Sequence, residues 1–439
     1  MSIKNIGINL SLKFIVFLFT FTGESVANDR VAILDDPIKS LQARISVIKK
    51  TTVTLDIATY IYGNDEASSQ TLLEIIKAAD RGVHVRIIID ALNNHIPKEV
   101  TNFMLNKGIR IKIFNAFSLK KKLKNVIRMH AKILVSDRLR CIIGGRNIVN
   151  TYFYIGDQTN FKDREIYFTG RSGKYAGDKF EELWYSALLD ELVFDKVLTN
   201  EQNLKVINSY FNDLKTMPFL QDDKINAALK SMKYSNVSSL EITMDRPHSY
   251  KYTEKNTTRL ILEKINATKS DILIESPYVI LSEEIFTALL KAVHRGVKVQ
   301  IITNSMMTSD SYLVLPVYYQ ERDYLINLGI DIYEFQGIDQ YLHTKMFIFD
   351  HNEVVLGSYN LDMLSANINT EIFVSIKDSE VVKESIKYYN ETLAQSIFAK
   401  VNPIKPAILE GKINLKSIKK YSVIKLLEYT LAPYLRDYL

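Results

Sequence analysis

Cysteine is nearly absent. The single Cys141 in 439 residues excludes an internal disulfide, and its place in an apolar run reads as a buried small hydrophobe rather than a nucleophile. Several catalytic signatures are missing too. No H-E-x-x-H occurs, and His84, His95, His248, His294 and His351 do not cluster with carboxylates at ligand spacing, so no metal site is expected. Gly170-Arg-Ser-Gly173-Lys174 fails the spacing of a P-loop, and no G-x-S-x-G elbow is present. Strong charge of either sign is lacking. The net charge of +6 is modest for a nucleic-acid binder but suits a phosphate-bearing partner. A comfortable membrane span is lacking as well, because Lys13 interrupts the apolar stretch from Ile6 to Thr22. With Lys4 ahead of it, Phe14-Ile-Val-Phe-Leu-Phe19 at its centre and Ser25-Val26-Ala27 after it, this stretch reads as a cleaved export signal. Asn28 is then the mature start, and a retained anchor is the alternative. The expected location is outside the cytoplasm, periplasmic or secreted.

What is present occurs twice. His130-Ala-Lys132-Ile-Leu-Val-Ser-Asp137 is followed, after six residues, by Gly144-Gly145-Arg-Asn147. His343-Thr-Lys345-Met-Phe-Ile-Phe-Asp350 is followed, again after six residues, by Gly357-Ser358-Tyr-Asn360. Each apolar run reads as a buried strand. On a strand the His and Lys point the same way, and the Asp falls at the strand end where a turn begins. The six residues after it return the chain and deliver the small pair and the Asn. A small residue lets backbone approach a ligand, and Asn offers an amide donor. Each copy therefore presents an imidazole, an ammonium and an amide, which together can grip and attack a phosphate.

The duplication extends beyond the motifs. Helix from Ile38 to Lys49, strand from Thr51 to Ile61, helix from Ser69 to Ala79, strand from Val83 to Ile89 and a helix-strand pair from Val100 to Phe114 precede the first copy. Helix from Arg259 to Asn266, strand from Asp271 to Ile280, helix from Glu283 to His294, strand from Val297 to Thr303 and strand from Ile330 to Phe335 precede the second. Ala78-Ala-Asp-Arg-Gly-Val-His-Val-Arg-Ile-Ile aligns without a gap on Ala292-Val-His-Arg-Gly-Val-Lys-Val-Gln-Ile-Ile. The expected fold is α/β: two duplicated domains, each a mostly parallel sheet flanked by helices on both faces. The divisions read as a signal at 1–27, a first domain at 28–232, a second at 233–409 and a basic amphipathic tail at 410–439. The stretch from Phe180 to Leu229, with the only tryptophan, Trp184, reads as mainly helical. Lys120-Lys-Lys-Leu-Lys124 reads as a solvated loop or a rim for phosphate or anionic lipid. The tail, with Lys416, Lys419, Lys420 and Lys425, suits either a membrane surface or packing on the domain.

Two histidines in matched frames suit a two-step displacement. One attacks phosphorus and holds the group covalently, while the other protonates the leaving alcohol and then deprotonates the acceptor. Lys132, Lys345, Asn147 and Asn360, with the small residues Gly145 and Ser358, are the candidate phosphate-binding set. Two cationic side chains supply the positive charge, so neither a metal nor a cofactor is expected.

The two H-x-K-x4-D-x6-G-[GS]-x-N elements resemble the phospholipase D superfamily. Gly144-Gly-Arg-Asn-Ile148, Phe161-Lys-Asp163, Ser358-Tyr-Asn-Leu-Asp362 and Ser365-Ala-Asn-Ile-Asn-Thr-Glu371 are similar to its bacterial cardiolipin synthase-like branch. The resemblance spans about residues 35 to 439 and implies that both motifs meet in one active site at the domain interface. It implies His130 as nucleophile and His343 as acid and base. An acidic residue orients each His: Glu371 in the second half and Asp163 in the first, with Glu165 close enough to compete. It gives Asp137 and Asp350 a structural role. Two departures lie beside the site: Leu364 where the branch usually has Arg, and Tyr152-Phe-Tyr154 where an acidic residue is common. The implied activity is phospholipid hydrolysis or transphosphatidylation by a monomer at a membrane surface. An exported nuclease, with nucleic acid as partner, is the alternative within the superfamily, and an inactive lipid-binding protein is the alternative of another class.

Overall fold

The computed structural model describes residues 28–116, 127–193 and 217–399 apart from 239, 250 and 251, with scattered positions between 199 and 214 and at 423, 424 and 427. The signal-like segment, Lys120 to Lys124 and nearly all of the tail lie outside the described residues.

The first half holds strands β1 (Asp29–Leu34), β2 (Thr54–Thr59), β3 (His84–Asp90), β4 (Arg110–Phe114), β5 (Ile133–Ser136), β6 (Arg140–Gly144), β7 (Asn160–Lys162), β8 (Glu165–Thr169), β9 (Leu189–Glu191) and β10 (Ser235–Val237). The second holds β11 (Leu240–Met244), β12 (Arg246–Ser249), β13 (Tyr252–Glu254), β14 (Asp271–Glu275), β15 (Lys298–Asn304), β16 (Ile330–Phe335), β17 (Gln340–Leu342), β18 (Met346–Phe349), β19 (Glu353–Gly357), β20 (Ile372–Ile376) and β21 (Ser396–Phe398). The main sheets run β10-β1-β8-β6-β5-β2-β3-β4-β9 and β11-β20-β19-β18-β14-β15-β16-β21. Strand for strand the second repeats the first, with β10 as the one addition. β10 pairs with β1, so the first sheet takes in residues as far as Val237.

The sheets are mixed rather than mostly parallel. Within the two main sheets parallel pairing is confined to β2-β3-β4 and β14-β15-β16, where a helix makes each crossover. The helices Glu66–Asp80 and Glu283–His294 start on side-chain caps, Asp65 and Ser282. They stop at Gly82 and Gly296, whose φ of 89° and 86° turns the chain into the next strand. The motif strands are antiparallel hairpins, since six residues suffice only for a tight return. Asp137-Arg138 and Asp350-His351 all have φ near 50°, with Leu139 and Asn352 closing on Ser136 and Phe349, as in a type I′ turn. Among the described residues from Phe180 to Leu229, the helix Ser172–Trp184 ends at Trp184 and gives way to β9, and a further helix spans Asp222–Ser231.

Each sheet packs helices on its outer face, over the cores around Ile57, Ile87 and Phe103 and around Ile274, Ile301 and Phe347. The inner faces share one core. Ile133, Val135, Ile143 and Phe168 from the first half lie in it with Met346, Ile348, Leu356 and Val374 from the second. Cys141 is buried there, as expected. Arg164 is a fully buried anchor between halves, bonding Asp35 at 2.6 Å, Glu275, and Thr392 Oγ1 at 3.1 Å.

Candidate active site

Each motif histidine sits in the extended residues just ahead of its strand, and the other half holds it there. β7 and β17 form a parallel ladder across the interface, Phe161 opposite Tyr341 and Lys162 opposite Leu342. His343 N–H then donates to Lys162 O at 2.8 Å, and His130 N–H donates to Thr370 O at 3.0 Å. Lys162 and Thr370 are the residues before Asp163 and Glu371, so each ladder sets the next carboxylate beside the opposite half's imidazole.

The pairing is crossed. His130 Nδ1 lies 3.0 Å from both Glu371 carboxylate oxygens, and His343 Nδ1 lies 2.6 Å from Asp163 Oδ2. Glu165, the competing acid, is committed elsewhere: it accepts from Ser40 at 2.6 Å and from Arg44. Although burial pushes the Glu371 carboxyl up, His130 and Lys132 beside it hold it below the usual range. Asp163 is likewise held down by Lys345 and His343 against its burial. Both acids are therefore ionised. Burial pushes both imidazoles down, His343 to about 3 with help from the Lys345 ammonium. At neutral pH each is uncharged; a His130 Nδ1 proton directed at its carboxylate leaves the reactive lone pair on Nε2, whereas His343 Nδ1 faces both Asp163 Oδ2 at 2.6 Å and Lys345 Nζ at 2.5 Å.

Lys132 Nζ donates to His130 O at 2.6 Å, and Lys345 Nζ makes the matching bond to His343 O. Both ammoniums are buried and their pKa values fall, that of Lys345 to about 8, because burial disfavours the charge. The lysine and acid of each half thus lie within electrostatic reach of those of the other half.

Gly145 and Ser358 face the carboxylates. A Cβ on Gly145 would stand 2.5 Å from the Asp163 oxygens, so glycine makes room for that acid. Ser358 Oγ donates to Glu371. Asn147 has its amide engaged, by Ile61 N–H at 3.0 Å and by the Tyr152 hydroxyl at 2.9 Å, whereas Asn360 Oδ1 is buried with no partner among the described residues. Asp137 and Asp350 bond elsewhere. Asp137 accepts from the backbone of Thr52, Val53 and Thr54, and Asp350 from Lys269, Ser270 and Asp271, each tying a hairpin to the start of a central strand.

Sequence reasoning missed several neighbours. Asp90 Oδ2 accepts from Met129 N–H at 3.0 Å and Asn304 Oδ1 from Leu342 N–H at 2.8 Å, each fixing the residue before a motif His. Their signal was available, because both end the aligned strands. Tyr60 meets the His130 ring edge-on at 5.1 Å, and Tyr152 and Phe161 meet His343 at 5.2 Å. Among the described residues no group of three or more His, Cys, Asp or Glu side chains is arranged to hold a metal, and no helix is long and apolar enough to cross a membrane.

A family profile described as "Cardiolipin synthase, PLD-like domain" matches residues 45–183 and 261–393, more than half the chain and both halves of the site. The chain belongs to this family. Among its relatives, cardiolipin synthase C of Escherichia coli (strain K12) is 25% identical over 402 residues, covering 83% of this chain and 82% of the relative. A cardiolipin synthase of Clostridium perfringens (strain SM101 / Type A) is 25% identical over 421 residues, covering 95% and 79%. The crystal structure of phosphatidylserine synthase from Haemophilus influenzae Rd KW20 superposes with a TM-score of 0.62 at 14% identity, covering 91% of this chain and 95% of that one, which shows a shared fold. The two phospholipase D-like halves expected from the motifs are thus present and joined.

Proposed function

We propose that the protein transfers phosphatidyl groups between alcohols, or to water, through a phosphohistidine at His130. The observation that carries this reading is the crossed pair of His–carboxylate couples with two buried lysines beside them. The names of the relatives, cardiolipin synthases, support phospholipid as the substrate.

His130 Nε2 attacks the phosphorus of a phosphodiester, and Glu371 stabilises the charge that develops on the ring. The P–O bond to the departing alcohol breaks, and His343 gives that oxygen its proton. The substrate's negative charge, with Asp163 behind the ring, favours the protonated His343 that this step needs. Lys132 and Lys345 neutralise the non-bridging oxygens. An acceptor hydroxyl then gives its proton to His343 Nε2 and attacks phosphorus, and the P–N electron pair returns to His130. Both couples belong to one chain, so a monomer suffices; export of the chain from Asn28 belongs to the same proposal.

The test is mass spectrometry of products from the mature protein, given vesicles of phosphatidylglycerol and phosphatidylethanolamine with a short alcohol. Cardiolipin or a phosphatidyl-alcohol is the expected result, and phosphatidic acid alone means hydrolysis. No lipid change, with DNA degraded in parallel, would overturn the proposal in favour of a nuclease.

A further inference from the structure

The two acids behind the histidines are held differently. Glu371 takes a serine hydroxyl on each oxygen: Ser365 Oγ donates to Oε1 at 2.8 Å, and Ser358 Oγ donates to Oε2. Each serine oxygen also accepts a backbone N–H, Ser365 from Asn360 at 3.1 Å and Ser358 from Ile372 at 3.0 Å, which directs its own proton at the carboxylate. Ser358, Ser365 and Glu371 are fully buried, so solvent does not compete for these bonds. At the positions matching Ser358 and Ser365 the first half has Gly145 and Tyr152. A Cβ on Gly145 would crowd the Asp163 carboxylate, and the Tyr152 hydroxyl meets Asn147 Nδ2 at 2.9 Å. Among the described residues no side-chain hydroxyl bonds Asp163, which accepts the Arg164 N–H at 2.7 Å and faces His343. The serine pair thus serves only the acid that stands behind His130.

His130 Nδ1 lies 3.0 Å from both Glu371 oxygens, so one proton is shared between ring and carboxylate. Once Nε2 is bonded to phosphorus, that proton has two homes. While it stays on Nδ1 the ring is cationic, and the P–N electron pair can return to a neutral imidazole, a good leaving group. When it crosses to Glu371 the ring becomes a neutral phosphoimidazole, whose departure would leave an imidazolate, and the P–N bond persists. Hydrogen bonds donated to a carboxylate favour its ionised form, so each serine weights the first arrangement.

We propose that Ser358 and Ser365 are positioning residues that keep the shared proton on His130 Nδ1 while the ring carries the phosphatidyl group, so that its release is fast; this rests on the phosphatidyl-transfer reading above. In the release step the acceptor O–H proton passes to His343 Nε2 and the acceptor oxygen bonds phosphorus. The P–N pair returns to Nε2 of a ring that still holds its Nδ1 proton. His343 carries no phosphorus, and its acid needs no such clamp.

The experiment compares full-length wild type with Ser365→Ala on phosphatidyl-nitrophenol in rapid mixing. The initial burst of nitrophenol reads attack by His130, and the later steady phase reads release of the phosphatidyl group. The variant should keep the burst and slow the steady phase about 10- to 100-fold, the range that one hydrogen bond to a charged group represents. Ser358→Ala strips the other carboxylate oxygen and should give the same split, while Ser365→Thr keeps the hydroxyl and should restore the steady phase. A burst slowed in proportion with the steady phase in both alanine variants, or a steady phase at the wild-type rate, marks merely structural serines and overturns the proposal. No nitrophenol from wild type overturns the phosphatidyl-transfer reading itself, which separates the two failures.

Discussion

Crossed pairing of acids and histidines makes a prediction that pairing within each half reverses. Glu371 is fully buried, contacts His130 Nδ1 at 3.0 Å through both oxygens and lies 241 residues away along the chain. When His130 attacks phosphorus the ring gains a positive charge roughly 4 Å from that carboxylate, and at an effective dielectric of about 20 the attraction is about 4 kcal/mol. The charge-assisted hydrogen bond taken by itself gives about 2 kcal/mol. Glu371→Gln keeps the shape and removes the charge, so formation of the covalent intermediate should slow by about 30- to 1000-fold. Asp163→Asn acts on His343, the proton donor. With a nitrophenyl phosphodiester, whose leaving group needs no proton, the Asn variant should keep a near-normal burst of nitrophenol and then turn over slowly. Rapid-mixing absorbance reads both phases. A burst lost in Asp163→Asn and kept in Glu371→Gln would refute the crossed assignment, since Asp163 shares a half with His130.

Other consequences are open to measurement. Lys345 falls to about 8 through burial, so its cation is present below that pH and lost above it; kcat/KM should decline above about pH 8, and Lys345→Arg should move that limb upward. Backbone N–H groups hold Asp137 and Asp350 below their ordinary value against partial burial. Their stabilisation is complete above the unfolded value and fades as pH falls through the folded one, so Asp137→Asn should cost about 1–3 kcal/mol at neutral pH and flatten the acid side of the melting curve. Arg164→Met strands the buried Glu275 and should cost about 3–5 kcal/mol in chemical denaturation, with Arg164→Met/Glu275→Leu recovering part of it. Prolonged EDTA treatment should leave activity intact; loss restored by a divalent ion would refute the two-lysine account of charge neutralisation.

The catalytic strands were legible because their chemistry is local. His, Lys, Asp and Asn recur at fixed short spacing, and the strand-end place of Asp137 anticipated its turn with φ of 52°. The crossing of the carboxylates was not legible. Asp163 and His343 are 180 residues apart, and only the β7–β17 ladder brings them together. Alternating helix and strand signalled parallel pairing correctly for β2-β3-β4, but that pattern does not reach the hairpins, whose return is set by Asp137-Arg138 and Asp350-His351. Asn147 read as a phosphate ligand because of its residue type; its amide is in fact engaged by Ile61 and Tyr152. Tyr152 was visible only as a departure from the usual pattern, since a hydroxyl's target depends on packing that the sequence does not spell out.

The most direct test of the account is to trap the covalent intermediate. Purified protein is mixed with a phospholipid carrying labelled phosphate, quenched under alkaline conditions that preserve phosphohistidine, digested and mapped by mass spectrometry. The account predicts label on His130, absent from His130→Ala and retained at the same position in His343→Ala with a good leaving group. Label on His343, or turnover at wild-type rate in either variant, would contradict it.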